Sequence, residues 1–183
     1  MSEAGPPFPR VAISVRSGRG FLNLRLNPRL GQALEAVERI LGQPMPPATN
    51  TFTAGEHEVY WLGSDEWLIA TGAERVAGID SELAEALGGF HAAVNDVSGG
   101  HVELLVRGAD ARTVLARGCT LDLHPREFAP GQCAQTGLGR ASILLAASEL
   151  STYTIVVRRS FSDYLRRWLA NAARPHGARL PAF

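Results

Sequence analysis

The stretch DVSGGHVELLVRGADARTVLARGCTLDLH, residues 96–124, decides how the rest of the chain is read. Within it, 102–106 is an apolar, β-branched run whose only charge is Glu103, the pattern of a largely buried strand. Gly108 interrupts the run. Residues 109–117 then set Ala111, Val114 and Leu115 on one helical face and stop at Gly118, where a terminating glycine belongs. Asp96, Ser98, His101, Asp110, Cys119, Asp122 and His124 lie in or beside this strand-helix unit. They are either a site or the punctuation of turns and caps.

Downstream, 125–131 is a linker, 132–138 and 142–147 read as strands flanking the Gly139-Arg140 turn, and 153–157 as another strand. Ser160 is placed to cap a last helix, with Asp163 as its capping-box partner and Phe161, Tyr164, Leu165, Trp168, Leu169 and Ala172 as a broad apolar face. Upstream, 21–26 alternates as a strand. Asn27-Pro28 reads as a cap and first helical residue, and Leu30, Leu34, Val37 and Leu41 mark a helix ended by Gly42. Residues 58–62 and 66–71 form a hairpin signal around Gly63-Ser64-Asp65, with Leu62 facing Glu66 and Trp61 facing Trp67. Val76, Ile79, Leu83 and Leu87 mark a second helix, and 90–97 a further strand.

The order strand, helix, linker, strands, helix thus occurs twice, offset by about 80 residues, with Asn27-Pro28 matching Gly108-Ala109. Two β-α-β-β-α-β units predict an α+β fold, a duplicated split-βαβ (ferredoxin-like) architecture within a single domain over 1–183. Its expected parts are a loose arm at 1–18 with an extended piece at 11–15, repeats at 21–88 and 90–173, and a tail at 174–183.

Charge excludes several functions. The 18 acids are balanced by 18 basic residues, which argues against a nucleic-acid binder. Every basic residue is arginine, so a lysine Schiff base, a lysine general base and a P-loop phosphate site are excluded. Two cysteines are too few for a disulfide framework, and no apolar run approaches the roughly 20 residues of a membrane span. With no apolar core of a signal peptide near the N-terminus, the expectation is a cytoplasmic protein with reduced thiols.

The chemical candidates are weak. Cys119, His124 and Cys133, with His176 as a remote fourth, lack the close-spaced pairs of structural zinc sites. Asp96-x-Ser98 reads as a turn, there is no nucleophile elbow, and Asp110 in the first turn of its helix would repel an anion there. Gly18-Arg19-Gly20 precedes a strand and has no third glycine, so it is not a dinucleotide fingerprint. No catalytic, cofactor-binding or metal-ligating residue is assigned. Arg158, Arg159, Tyr164, Arg166, Arg167 and Trp168, with Phe161 among them, are the types enriched at interface hot spots and form the candidate partner surface. A solvated arginine face over buried aromatics accounts for the same residues.

The blocks YWLGSDEWLI, DVSGGHVELLVRGADARTVLARGCTLDLHP, FAPGQCAQTGLGRA and VVRRSFSDYLRRWL, in that order over roughly 62–173, resemble the gamma subunit of heterotetrameric sarcosine oxidase. The resemblance implies a fold like part of the folate-dependent aminomethyltransferase, the glycine-cleavage T-protein. It also implies an accessory role beside alpha, beta and delta subunits in the oxidative demethylation of sarcosine to glycine. In that complex tetrahydrofolate accepts the one-carbon unit, oxygen is reduced to peroxide, and FAD, FMN and NAD are associated with the larger subunits. No motif of those subunits has a match here, so this chain is expected to be non-catalytic and to bind no cofactor itself. The alternative is a free-standing folate-binding relative, which would need an acid facing the pterin; Asp96 and Asp122 are its candidates.

Overall fold

The computed structural model describes residues 10–178; residues 1–9 of the expected arm and residues 179–183 of the expected tail lie outside them. Among the described residues, the β-branched and alternating runs form ten strands. In chain order these are β1 (Ala12–Arg16), β2 (Arg19–Leu26), β3 (Phe52–Ala54), β4 (Glu58–Gly63), β5 (Glu66–Gly72), β6 (Ala92–Asp96), β7 (His101–Arg107), β8 (Cys133–Leu138), β9 (Ala141–Glu149) and β10 (Thr152–Arg158). The helices are α1 (Gly31–Leu41), α2 (Val76–Leu87), α3 (Ala111–Ala116) and α4 (Arg159–Ala173). The chain divides into two units, one of residues 17–101 and 131–134, the other of 10–16, 102–130 and 135–178.

The first unit holds a sheet in the order β3-β4-β5-β2-β6. Trp61 stands opposite Trp67 across β4 and β5, and Phe52 stacks on Tyr60 across β3 and β4 with ring centroids 5.3 Å apart. Leu22, Leu24, Leu26 and Ile69 from the strands bury against Val37 and Leu41 of α1 and against Ile79, Leu83 and Leu87 of α2. Gly20 is glycine because α2 lies directly over it: a Cβ there would meet Val76 Cγ2 at 2.1 Å.

The second unit holds a sheet in the order β8-β9-β10-β7-β1. Position by position this repeats the first sheet, with β7 in the place of β2 and β10 in the place of β5. The fifth place differs in origin. In the first unit it is taken by β6, which follows α2; in the second it is taken by β1, from the other end of the sequence. The extended piece expected within a loose arm is therefore a sheet strand, paired along its length with β7. Its register puts Arg16 opposite Glu103, and Arg16 Nη1 lies 2.6 Å from the fully buried Glu103 carboxylate. That pair explains how a charge sits in an otherwise apolar strand.

Three local expectations are corrected. Asn27 does not cap α1, which begins at Gly31 after Leu30; the Asn27 side chain instead accepts from Arg29 N at 3.0 Å, closing a turn before the helix. Ser160 does not cap α4 either, because the helix already begins at Arg159 and Asp163 pairs with Arg166. Leu62 does not face Glu66: Gly63 does, and the register shifts between Trp61 and Gly63. In each case the observed boundary or register lies within a few residues of the expected one. Among the described residues no helix is long and apolar enough to cross a membrane.

Candidate functional site

Helix α4 buries a narrow stripe, Leu165, Leu169 and Ala173, one residue per turn. The face expected from sequence was wider. Phe161 is instead 43% exposed, and Tyr164 and Trp168 are only half-buried. These two aromatics are fixed on their inner edges by glycines. A Cβ at Gly118, which follows α3, would meet Trp168 Cζ2 at 2.4 Å, and one at Gly139, in the β8–β9 turn, would meet Tyr164 Oη at 2.6 Å. Gly139 also has φ of +60°, which favours glycine independently. Tyr164 Oη accepts from Arg140 N at 3.0 Å.

Their outer faces line a shallow groove of about 510 Å³ together with Asp163, Arg167 and Asn171. Between Arg158 and Arg174 the chain carries five arginines against one aspartate, although the whole protein is neutral. Arg158, Arg159 and Arg167 are exposed, and Arg166 is half-buried with Nη1 3.7 Å from Asp163. The structure thus places all six candidate interface residues on α4 or at its start. Tyr164, Arg167 and Trp168 share the groove; Arg158, Arg159 and Arg166 do not line it. Gly118, Gly139, Asp163 and Asn171 were not assigned to this surface from sequence. The glycine that ends α3 and the Gly139-Arg140 turn were visible there, but not what rests on them.

The metal candidates do not converge: among the described residues no three His, Cys, Asp or Glu side chains form a metal-binding group. Cys119 lies beside Thr136, whereas buried Cys133 donates to Thr51 O, and burial pushes its thiol up to about 12. His124 closes a turn with Asp122, whose Oδ1 accepts from His124 N at 2.8 Å. His176 lies 2.8 Å from Asp110, which also meets Arg10. The hydrogen bond from His176 is the largest cause holding the Asp110 carboxyl below its usual range.

A pterin would need an acid aimed into a cavity, and the two candidates do not fit that requirement. Asp96 Oδ1 accepts from Ser98 Oγ and Ser98 N at 2.5 and 2.8 Å, which hold its carboxyl below the usual value, the hydroxyl bond foremost. Asp122 is engaged by His124 N as above. Neither lines the groove at the β2–α1 corner or the two grooves along α4. The corner groove, about 710 Å³, is lined by Arg25, Asn27, Arg29, Ser64, Asp65 and His91 among others.

Residues 30–175 match the model of the sarcosine oxidase, gamma subunit family. The chain is 33% identical over 152 residues to the sarcosine oxidase subunit gamma of Corynebacterium sp. (strain U-96), covering 82% of this chain and 73% of that one. Among solved structures, a chain of the heterotetrameric sarcosine oxidase from Corynebacterium sp. U-96 in complex with pyrrole 2-carboxylate superimposes with a TM-score of 0.84 at 29% identity, over 94% of this chain and 88% of that one. The glycine cleavage system aminomethyltransferase T from Bartonella henselae matches with a TM-score of 0.65 at 16% identity, over 93% of this chain and 47% of that one, a likeness of fold.

Proposed function

The chain belongs to the sarcosine oxidase gamma subunit family, and from that membership we propose that it is a small non-catalytic accessory subunit of a heterotetrameric sarcosine oxidase. In this reading it supports the oxidative demethylation of sarcosine to glycine, with the one-carbon unit passing to tetrahydrofolate. FAD, FMN and NAD belong to the larger subunits, and the partners are alpha, beta and delta chains. The observation that carries the proposal is the family match across 30–175, which spans both repeats. The α4 surface is the proposed docking face: arginines and fixed, half-exposed aromatics are the residues that contribute most at interface centres.

The free-standing folate-binding alternative is disfavoured by the engagement of Asp96 and Asp122 in their own turns. Both readings are tested by purifying the tagged chain from cells that make it natively and, separately, alone. Co-purification of flavin-bearing subunits with sarcosine-oxidising activity, together with a colourless and inactive isolated chain, is the expected result. A yellow isolated chain that turns over sarcosine, or one that saturably binds a tetrahydrofolate analogue in calorimetry, overturns it.

A further inference from the structure

The chain is neutral, but its charges are not shared evenly between the two units. The first unit, residues 17–101 and 131–134, has five arginines and eleven acids; the second, residues 10–16, 102–130 and 135–178, has twelve arginines and six acids. The excess of arginine thus belongs to the second unit, and the acids there do not absorb it. Glu103 is taken up by Arg16, Asp110 by Arg10 and His176, and Asp163 by Arg166.

Part of that excess is lined up on α4. A second shallow groove, about 330 Å³, is lined by Ala170, Asn171, Arg174, Gly177 and Ala178. It shares Asn171 with the groove of Tyr164, Arg167 and Trp168, so the two run on from each other along the exposed side of the helix. Arg167 and Arg174 are both exposed, one on each groove, and among the described residues neither has an ion pair. Seven residues separate them, two helical turns or about 10 Å along the axis. The rings of Tyr164 and Trp168 flank this strip and are already seated against Gly139 and Gly118, so little ordering is left to be done on binding.

We propose that the strip receives an acidic segment of a partner subunit, with two carboxylates on Arg167 and Arg174 and an apolar side chain on Tyr164 and Trp168. The inference rests on the accessory-subunit reading and adds to it the chemistry of the partner. Charge complementarity carries it: a basic strip that its own unit leaves uncompensated is matched by acids from outside. An extended segment covers about 10 Å in three residues, so one short stretch of chain reaches both guanidiniums. Each guanidinium offers two parallel N–H groups to a carboxylate. The zero net charge of the whole chain opposes a long polyanion such as nucleic acid.

The test is the salt dependence of association between the full chain and the purified partner subunits, read on a sensor surface. From about 25 to about 300 mM NaCl the association rate should fall roughly tenfold or more, with dissociation changing less. Arg167→Glu/Arg174→Glu should slow association at low salt by a similar factor and flatten its salt dependence. Arg167→Lys/Arg174→Lys, which keeps the charge, should retain the salt dependence, and Arg39→Glu on the exposed face of α1 should leave the rate unchanged. All three variants should unfold thermally like wild type, since the side chains are exposed. Wild type that captures no partner at any salt contradicts the accessory-subunit reading and this inference with it. Capture whose rate is indifferent to salt and to the Glu pair contradicts the acidic segment alone, as does duplex DNA bound as tightly as the partners.

Discussion

Helices α2 and α4 close their respective repeats and face solvent differently. α2 buries Val76, Ile79, Leu83 and Leu87, has no aromatic residue, and carries Asp80, Glu82 and Glu85 with no basic residue. α4 buries Leu165, Leu169 and Ala173, yet adds Phe161, Tyr164 and Trp168 and an arginine-rich surface. One aliphatic stripe suffices to dock a helix on its sheet, as α2 demonstrates. The aromatics of α4 are therefore surplus to docking, and two of them are held in place by glycines from other elements. That surplus is what the proposed docking face would present to a partner.

The comparison breaks first at the cores. Leu83→Ala and Leu169→Ala should each cost about 2–5 kcal/mol in denaturant unfolding, because both side chains are fully buried. A small effect at Leu169 alone would mean that α4 is held by its aromatics instead of its stripe. Next, Trp168→Ala should weaken capture of the partner subunits by about 30-fold or more, a loss typical of a central aromatic anchor. The chain itself should remain folded, and titration of immobilised chain with the purified partners measures the loss.

Gly118→Ala should displace the Trp168 ring and destabilise by about 1–3 kcal/mol, the usual cost of overpacking, read by thermal unfolding. The smallest effect concerns acid. Burial is the main cause holding His57 below its usual value of 6.5, and its Nδ1 lies 2.9 Å from Thr71 Oγ1. A folded-state value lower than the unfolded one means that the unfolded chain takes up the proton first. Stability is then full above 6.5 and declines as pH falls below it. His57→Gln should flatten that decline between neutral and mildly acidic denaturation curves. Asp110 has a lowered value too, but as a carboxyl its contribution is lost only below its ordinary 3.8. Acid should thus weaken the first unit before the second.

Much of the fold was legible in the sequence because its signals are local. The strand at 102–106, the stripe of α2 and the Trp61–Trp67 pairing all rest on periodicity or on a short turn, and the structure has each of them. What sequence missed was nonlocal. β1 belongs with β7, about 90 residues away along the chain, and no local pattern names that partner. The caps expected at Asn27 and Ser160 failed because a good capping residue reports a propensity for a turn, while docking of the helix decides where it begins. Of the candidate interface, the residue types were visible, but the division between a buried stripe and seated aromatics was not. Sequence assigned Phe161 to the core face, and the structure exposes it.

The proposed docking role belongs to α4 and leaves α2 silent. Co-expression with the catalytic subunits, followed by capture through a tag on this chain, reads that as sarcosine-oxidising activity in the eluate. Wild type and Glu82→Arg/Glu85→Arg on α2 should elute with activity, whereas Arg167→Glu/Trp168→Ala should elute folded and without it. Wild-type activity recovered with the α4 variant, or its loss with the α2 variant alone, would contradict the account.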